Sequence, residues 1–514
     1  MPTARLQAEA SFKAGTSLFP ARAEFARGLA AGKPQLVWTV LPADMDTPVS
    51  AMLRLREPGQ PSFLLESVEK GETRGRWSVI GLMPELIWRC RGNRAEVARS
   101  DRPDAAKFTP CEEDSLTSLR ALYRSSQLEL PEGLPPMAAG LVGYMSYDMV
   151  RLMERLPPDT KPDPINIPDA CFLRPQLMVI FDAVSDKMYV ITTIWPNGRG
   201  DADTAYTAAE KRIAYALERL RRPVPAEEKN AKPVKMEDFT SNTTRADYDR
   251  MIAVAREHIA AGDIFQCVLS QRFSAPFTLP AFSLYRALRS LNPSPFLFYL
   301  DFCDFQIVGS SPEILVRLRD GEVTIRPIAG TRKRGKNKEE DGLLAASLLA
   351  DPKELSEHLM LLDLGRNDVG RVCLPGTVRT TQQMGIENYS HVMHIVSNVI
   401  GELDETRFDA LSALIAGFPA GTVSGAPKVR AMQIIDALEK DRRSFYAGCV
   451  GYFSAGGNMD TAISLRTGLV KDGMLHLQAG GGVVADSTAE GEYQESLNKA
   501  KALMRAAEEA IKFV

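Results

Sequence analysis

LMVIFDAVSDKMYVITTIW, residues 177–195, consists of two apolar, β-branched runs around a polar break at Val184-Ser185-Asp186-Lys187. Runs of this make-up parted by a short turn read as a β-hairpin. A hairpin makes its strands antiparallel neighbours, whereas a parallel pair needs a crossover of a dozen residues or more. PSFLLES (61–67) and RWSVIGLMP (76–84) read as further strands. DADTAYTAAEKRIAYALERLRR (201–222) is a charged amphipathic helix, and RPVPAEEKNAKPVKMEDF (222–239), rich in Pro, Lys and Glu, is a surface linker.

A new unit starts beyond the linker. Thr244 is placed to cap a helix, with Asp247 in the capping-box position. Tyr248, Met251, Ile252, Ala255 and Ile259 form its apolar stripe and Gly262 ends it. IFQCVLSQRF (264–273) follows as a strand with polar Gln266 on one face. FQIVGSS, EVTIRPIAGT and MLHLQAGGGVV then alternate with helices, without regular βαβ units, so the expected class is α+β. The chain divides into an N-terminal region 1–221, a linker 222–242 and a region 243–514. GLVGYMS (140–146) and GCVGYFS (448–454) share G-x-V-G-Y-x-S across the linker. Either two related halves form one sheet sandwich, or two Gly-Tyr strands agree by chance.

The 514 residues, 45% hydrophobic and 25% charged, have ordinary globular chemistry and length for a large core. A net charge of -3 gives no basic footprint for nucleic acid. Seven scattered cysteines without a C-x-x-C make neither a disulfide framework nor a zinc site. The start lacks an apolar signal core and no stretch approaches a membrane span, so the expectation is a cytoplasmic protein with no membrane partner.

Two carboxylate doublets stand out. Glu354 and Glu357 lie three apart in KELSEHLMLLDLGRND, and Glu492 and Glu495 three apart in EGEYQESLNKAKALM, with Lys499 one turn on. On helices such pairs share a face, and Mg2+ takes one or two protein carboxylates plus substrate oxygens and water. Asp351 and Pro352 fit N-cap and N1, so Glu354 also reads as a capping glutamate. Gly480, Gly481 and Gly482, placed after a strand, would let backbone approach a ligand and offer N–H groups to an anion; the plain alternative is a glycine bulge. Thr422 and Ser424 lie in a small-residue loop before a helix start near Pro427. Arg466, in the strand pattern AISLRTGLV, needs a partner, either a protein or a substrate carboxylate. His391 and His394 are three apart without the further ligands zinc needs. Glu313 ends GSSPE, and RKRGKNKEED (332–341) reads as a mobile solvated loop.

Together these stretches resemble the chorismate-utilising enzyme family, and within it the large subunits (component I) of anthranilate synthases. The likeness is dense over 243–514, through IFQCVLSQRF, GSSPEIL, RPIAGTRKRG, LSEHLMLLDLGRNDVGR, HVMHIVSNVIGEL, FPAGTVSGAPKVRAM, FYAGCVGYF, AISLRT, QAGGGVVADS and EYQESLNKA. It reaches the front through LLES (64–67), GRWS (75–78) and GLVGYMSYD (140–148). The resemblance implies a two-sheet antiparallel β-sandwich with helices packed outside. It implies that Glu357 and Glu495 bind Mg2+, supported by Glu354 and Glu492. Chorismate would be held by Gly330, Thr331, Thr422, Tyr446, Arg466 and the Gly480, Gly481 and Gly482 backbone. Glu313 would be the general acid for the C4 hydroxyl, with Thr422 and Lys499 among the catalytic groups, and His394 would assist elimination.

Water-adding members carry a lysine where this chain has Gln266, and members that make aminodeoxychorismate carry one where it has Ala329. Ammonia, already a nucleophile, needs neither. The implied activity is Mg2+-dependent amination of chorismate at C2 followed by pyruvate elimination to anthranilate, the first committed step of tryptophan biosynthesis. The alternatives are a synthase that stops at 2-amino-2-deoxyisochorismate, or a non-catalytic tryptophan-sensing protein on the same fold. Glu66, Ser67, Asn292, Pro293, Pro295, Phe296 and Leu297 match an allosteric tryptophan pocket. No amidotransferase nucleophile is present, so a separate glutamine amidotransferase subunit (component II), in a hetero-oligomer, would supply ammonia.

Overall fold

The hairpin forms as expected. In a computed structural model of the chain, the strand Ala170–Asp182 turns into Lys187–Ile194 with Asp182 opposite Lys187. Asp182 closes the turn, accepting from the Val184 N–H and the Ser185 hydroxyl, while Asp186 takes φ 50°, a left-handed conformation that Asp tolerates. The structure describes residues 17–69, 73–99, 107–196, 201–225, 232–389 and 392–514. Beyond the linker, Thr244 caps the helix Arg245–Ala260 by accepting from the Asp247 N–H.

The described strands form one hydrogen-bonded network, folded into two sheets that share the long strands Thr73–Arg91 and Ala170–Asp182. Trp77–Leu82 pairs with Leu177–Asp182 in the first sheet; past an irregularity at Pro84, Leu86–Cys90 pairs with Ala170–Arg174 in the second. In space the first sheet runs Gln35–Pro42, Lys187–Ile194, Ala170–Asp182, Thr73–Arg91, Ser62–Glu69, Phe296–Asp301, Phe305–Ser311, Thr467–Lys471, Met474–Val483, Gln266–Pro276. The second runs Arg94–Arg99, Thr73–Arg91, Ala170–Asp182, Gly140–Met145, Cys449–Ser454, Met459–Ile463, Ile314–Arg319, Glu322–Ile325, Val392–Glu402. All these pairings are antiparallel.

Phe63, Val79, Phe298 and Ile307 of the first sheet meet Val142, Tyr144, Leu173 and Val450 of the second in a core between them. Helices Ala202–Leu220, Ala281–Leu291 and Ala489–Glu509 cover the first sheet outside; Ser115–Ser125 and Ala410–Gly417 cover the second. Burying each large apolar side chain contributes about 1.5–3 kcal/mol. The class is α+β, a two-sheet sandwich with helices outside.

The G-x-V-G-Y-x-S echo marks a real duplication. Its two copies are adjacent strands with Gly143 opposite Gly451. A Cβ at Gly143 would stand 2.0 Å from the Cys171 carbonyl oxygen, and one at Gly451 2.2 Å from that of Asp460. From this pair outward the strand order is the same in both directions. The helices repeat too. Phe25 stacks edge-on against Tyr206 at 5.1 Å, and Arg22 reaches both the Tyr206 ring and Asp203. Tyr248 does so against Tyr493 at 5.7 Å, and Arg245 reaches the Tyr493 ring and Glu490. GLMPELIW (81–88) corresponds to GSSPEILV (309–316); a Cβ on Gly81 or Gly309 would sit 2.1 Å from the ring of Phe63 or Phe298 respectively. Residues before and after the linker therefore build both sheets together.

Candidate active site

The first doublet sits on the helix Pro352–Gly370, capped by Asp351 with Pro352 in its first turn. Glu354 is not used in a capping box: its carboxylate takes the Arg332 guanidinium at 2.9 Å, and Arg332 also holds Asp351. Glu357 Oε1 accepts from Gln266 Nε2 at 3.0 Å. Burial raises the Glu357 pKa, helped by the charges of Glu354 and Glu495. The second doublet sits on Ala489–Glu509. Glu492 Oε1 accepts from Ser487 at 2.6 Å while Oε2 is buried without a partner, and its pKa is raised by burial and by Glu495. Glu495 pairs with Lys499 at 2.7 Å, and Lys499 also donates to the Gly480 carbonyl at 3.0 Å. Lys353 and Asp486 tie the two segments at 2.9 Å.

The three glycines lie within the strand Met474–Val483 rather than after it, because the ladder to Gln266–Pro276 continues through them. Each makes room for something different. A Cβ would stand 2.2 Å from the Leu269 carbonyl at Gly480, 2.4 Å from Glu492 Oε2 at Gly481 and 2.3 Å from Gln266 Nε2 at Gly482.

Glu313, 7% exposed, accepts from the Thr422 hydroxyl at 3.0 Å. Burial pushes its pKa up to about 8 against the opposing effects of Thr422 and Lys499, so it carries a proton at neutral pH. His394 Nδ1 lies 3.1 Å from the Gly330 carbonyl and 3.0 Å from Thr331 Oγ1. Burial lowers its pKa and the nearby Arg466 charge adds to this; the neutral imidazole that donates through Nδ1 keeps Nε2 as a base. Gly330, at φ 70°, is a bulge opposite this strand. Tyr446 is buried, its pKa pushed to about 12 by desolvation, with Glu495 among the charges it feels. Arg466 sits at φ 47°; burial lowers its pKa, and only Tyr389 opposes this. Its guanidinium has no carboxylate partner among the described residues, which leaves it for a ligand. His391 lies outside the described residues.

The structure corrects the loop expected at 332–341. Arg332 belongs to the strand Ile328–Lys333, Arg334 pairs with Asp341 at 2.7 Å, and the helix Lys338–Leu349 starts inside the run. Opposite charges nearby give the run strand and helix structure while Lys333, Lys336, Asn337, Lys338 and Glu339 stay exposed.

Among the described residues no group of three or more His, Cys, Asp or Glu is close enough to hold a metal ion. The donor chemistry nonetheless fits a hard cation. Burial raises the proton affinity of Glu357 and Glu492, and like charge adds to it, from Glu354 and Glu495 at Glu357 and from Glu495 at Glu492; Glu492 Oε2 is orphaned beside a glycine that leaves it space.

A separate cavity lies between the sheets, lined by Glu66, Ser67, Phe296 and Leu297 and by Trp77, Met137, Tyr452 and Asp460. Glu66 is not free there: Arg289 holds it at 2.7 Å and the Tyr285 hydroxyl donates to it. Asn292, Pro293 and Pro295 lie just before the strand Phe296–Asp301, and Asn292 has a buried amide nitrogen without a partner. Trp77, Met137, Tyr452 and Asp460 were not singled out from the sequence, because they reach the pocket from other parts of the chain, Met137 from the turn before the strand Gly140–Met145 and the others from other strands.

A model of the chorismate binding enzyme family matches residues 60–505. Anthranilate synthase component 1 of Cereibacter sphaeroides is 55% identical over 486 residues, covering 95% of this chain and 97% of that protein. The same component of Pseudomonas aeruginosa is 46% identical, covering 90% and 93%. The crystal structure of anthranilate synthase component I from Streptococcus pneumoniae TIGR4 superposes with a TM-score of 0.73 at 37% identity, covering 90% of this chain and 99% of that one. The menaquinone-specific isochorismate synthase of Escherichia coli shares the fold, with a TM-score of 0.68 at 20% identity, covering 95% and 99%.

Proposed function

The chain belongs to the chorismate binding enzyme family and, within it, groups with the component 1 chains of anthranilate synthase, which are lyases; on that premise we propose that it aminates chorismate at C2 with ammonia and eliminates pyruvate to give anthranilate. One observation carries the reading: Glu313 is a buried carboxyl held by the Thr422 hydroxyl, its pKa raised by burial, and Arg466, also buried, has no carboxylate partner among the described residues.

Arg466 takes a substrate carboxylate. Glu313, steadied by Thr422, gives its proton to the departing C4 hydroxyl as ammonia bonds to C2, so water leaves. His394 Nε2 accepts the proton lost when the C2 centre becomes aromatic, while the enolpyruvyl group departs as pyruvate once its methylene carbon gains a proton. Gln266 and Ala329 supply no amine or base of their own. Glu357 and Glu495, with Glu354 and Glu492 behind them, would hold Mg2+, which supplies charge neutralisation and orientation for a ring carboxylate. The cavity around Ser67 would take tryptophan as a feedback inhibitor. Asn292, four residues before Phe296 of its lining, accepts through its carbonyl from the Ser310 hydroxyl, and the Ser310 N–H donates to the Arg466 carbonyl. A separate component 2 would release ammonia from glutamine. Among the described residues no helix is long and apolar enough to cross a membrane.

The test is direct. The purified chain, chorismate, Mg2+ and an ammonium salt should give anthranilate fluorescence, and EDTA should abolish it. Accumulation of a non-aromatic amine instead would favour the synthase that stops before elimination. No consumption of chorismate would sink both.

A further inference from the structure

Arg443 is a buried arginine, 2% exposed, that takes no part in the chemistry above. Glu439 balances its charge, accepting from Nε at 2.8 Å and from Nη2 at 2.6 Å. Its other bonds go to backbone that carries candidate site residues. Nη1 donates to the Val423 carbonyl at 2.7 Å, next to Thr422, and Nη2 to the carbonyl of Val268 at 2.6 Å, opposite Gly482 in the ladder. The guanidinium carbon lies 5.5 Å from the centre of the Tyr446 ring and 4.7 Å from that of Tyr147. Tyr147 belongs to the N-terminal region, two residues past the strand Gly140–Met145.

The turn that joins Arg443 to Tyr446 is held from outside. Ser444 takes φ 55° and Ala447 φ 63°, left-handed conformations that cost a non-glycine residue free energy and persist where neighbours impose them. At Ser444 the neighbours are N-terminal. The Tyr147 N–H donates to the Ser444 carbonyl at 2.9 Å, and the Asp148 carboxylate accepts from the Ser444 N–H at 2.8 Å. One residue, Tyr147, thus holds Ser444 with its backbone and Arg443 with its ring. Its hydroxyl is buried without a hydrogen-bond partner among the described residues, so the contact uses the aromatic face and not the phenol group.

We propose that Tyr147 is a positioning residue for chorismate: it braces the Arg443 guanidinium and the Ser444 backbone, and through them sets the Tyr446 ring in the substrate site. This rests on the reading of Tyr446 as a chorismate contact. The N-terminal region thereby contributes to substrate binding without touching the substrate. An aromatic face suits the task, because it attracts the cation without competing for the N–H groups that Glu439, Val423 and Val268 occupy.

Tyr147→Leu removes the face and keeps an apolar side chain. Its KM for chorismate should rise about tenfold, equivalent to about 1.4 kcal/mol, while its KM for ammonia and its Mg2+ activation stay close to those of the unaltered chain. Tyr147→Phe loses only the orphaned hydroxyl and should keep the low KM. Tyr147→Met, nearer in volume, serves if Tyr147→Leu does not fold. Tyr446→Leu is the reference: if Tyr147 acts through Tyr446, adding Tyr147→Leu to it should raise the KM no further. An unchanged KM in Tyr147→Leu at any melting temperature, a rise in Tyr147→Phe as large as in Tyr147→Leu, or independent, additive rises in the double variant would overturn the proposal. An unchanged KM in Tyr446→Leu would remove the reading of Tyr446 itself, and the proposal with it.

Discussion

Glu85 and Glu313 hold the same place in the two halves of this molecule. Each follows a proline at the point where a strand passes from one sheet to the other, and each is 7% exposed. Glu85 meets Arg174 in a buried ion pair, with Ser126 and the Trp195 ring completing the arginine's surroundings. Among the described residues the Glu313 carboxyl has the Thr422 hydroxyl as its hydrogen-bond partner and no ion pair, and the neighbouring strand offers Ala462 and Ile463 where the first half has Arg174. Equal burial thus gives a structural ion pair in one half and a protonated acid in the other. The covering helices differ in the same way. Tyr206 and Tyr493 coincide, but the positions of Ala205 and Ala208 in the first helix are Glu492 and Glu495 in the second. The strands Gln266–Pro276 and Met474–Val483 are also longer than their counterparts Gln35–Pro42 and Lys187–Ile194, and the extra length carries Gln266 and the end of the glycine run. Chemistry in this fold comes from a few exchanged side chains and an overhang on one half, not from a different framework.

The comparison can be broken at each point. Removing the proton from its place has the largest expected effect: Glu313→Gln should lower kcat by about 10²–10⁴-fold, the usual contribution of a positioned acid. In the unaltered chain turnover should fall as pH rises through about 8, where Glu313 ionises. Its folded-state pKa lies above the ordinary 4.5, so the folded chain holds a proton that the unfolded chain has released. Stability due to this residue is therefore lost between about pH 4.5 and 8. Denaturant midpoints of the Gln variant should lack that component; identical pH profiles for both chains would end the assignment.

Arg174→Leu tests the other half by stranding Glu85. Breaking a buried pair by removing one partner costs about 3–5 kcal/mol, so urea unfolding should shift strongly while turnover per folded molecule stays near normal. A large loss of kcat at unchanged stability would mean that the N-terminal acid also serves catalysis. Glu495→Ala copies Ala208 into the C-terminal helix. Activity should fall by about a hundredfold, corresponding to a few kcal/mol of transition-state stabilisation, and the Mg2+ requirement should rise. Full activity in EDTA would refute the metal role. The smallest effect on turnover is expected from Ser67→Phe, which fills the cavity between the sheets. Tryptophan inhibition should vanish while uninhibited turnover persists. Inhibition lost only together with catalysis would place tryptophan in the active site.

Much of this was legible because it is local. The hairpin at Asp182, the Thr244 cap and the start of the helix at Asp351 depend on residues a few positions apart, and the sequence shows them directly. The candidate site residues were recognisable by motif, and the structure links several of them in pairs, Glu313 with Thr422, His394 with Thr331 and Glu495 with Lys499. What stayed hidden depends on partners far along the chain. Nothing near Glu354 announces Arg332, nothing near Glu313 announces Thr422 as its partner, and no local pattern marks the orphaned Gln266 oxygen. The match of Pro84-Glu85 to Pro312-Glu313 is too short to be noticed until strand register aligns it. The glycines were expected after a strand because their lack of side chains hides strand character, while the ladder is set by the partner strand.

The pairing of Gly143 with Gly451 also bears on how the chain could assemble. The molecule is in effect a two-fold dimer whose subunits share one polypeptide. Cutting the linker would leave two fragments, each with bare edges, Ser62–Glu69 and Gly140–Met145 on one and Phe296–Asp301 and Cys449–Ser454 on the other. Such edges recruit strands, so the fragments are natural complements. The same property is a hazard in the intact chain. Exchange of halves between two copies is the corresponding misassembly for a chain built this way.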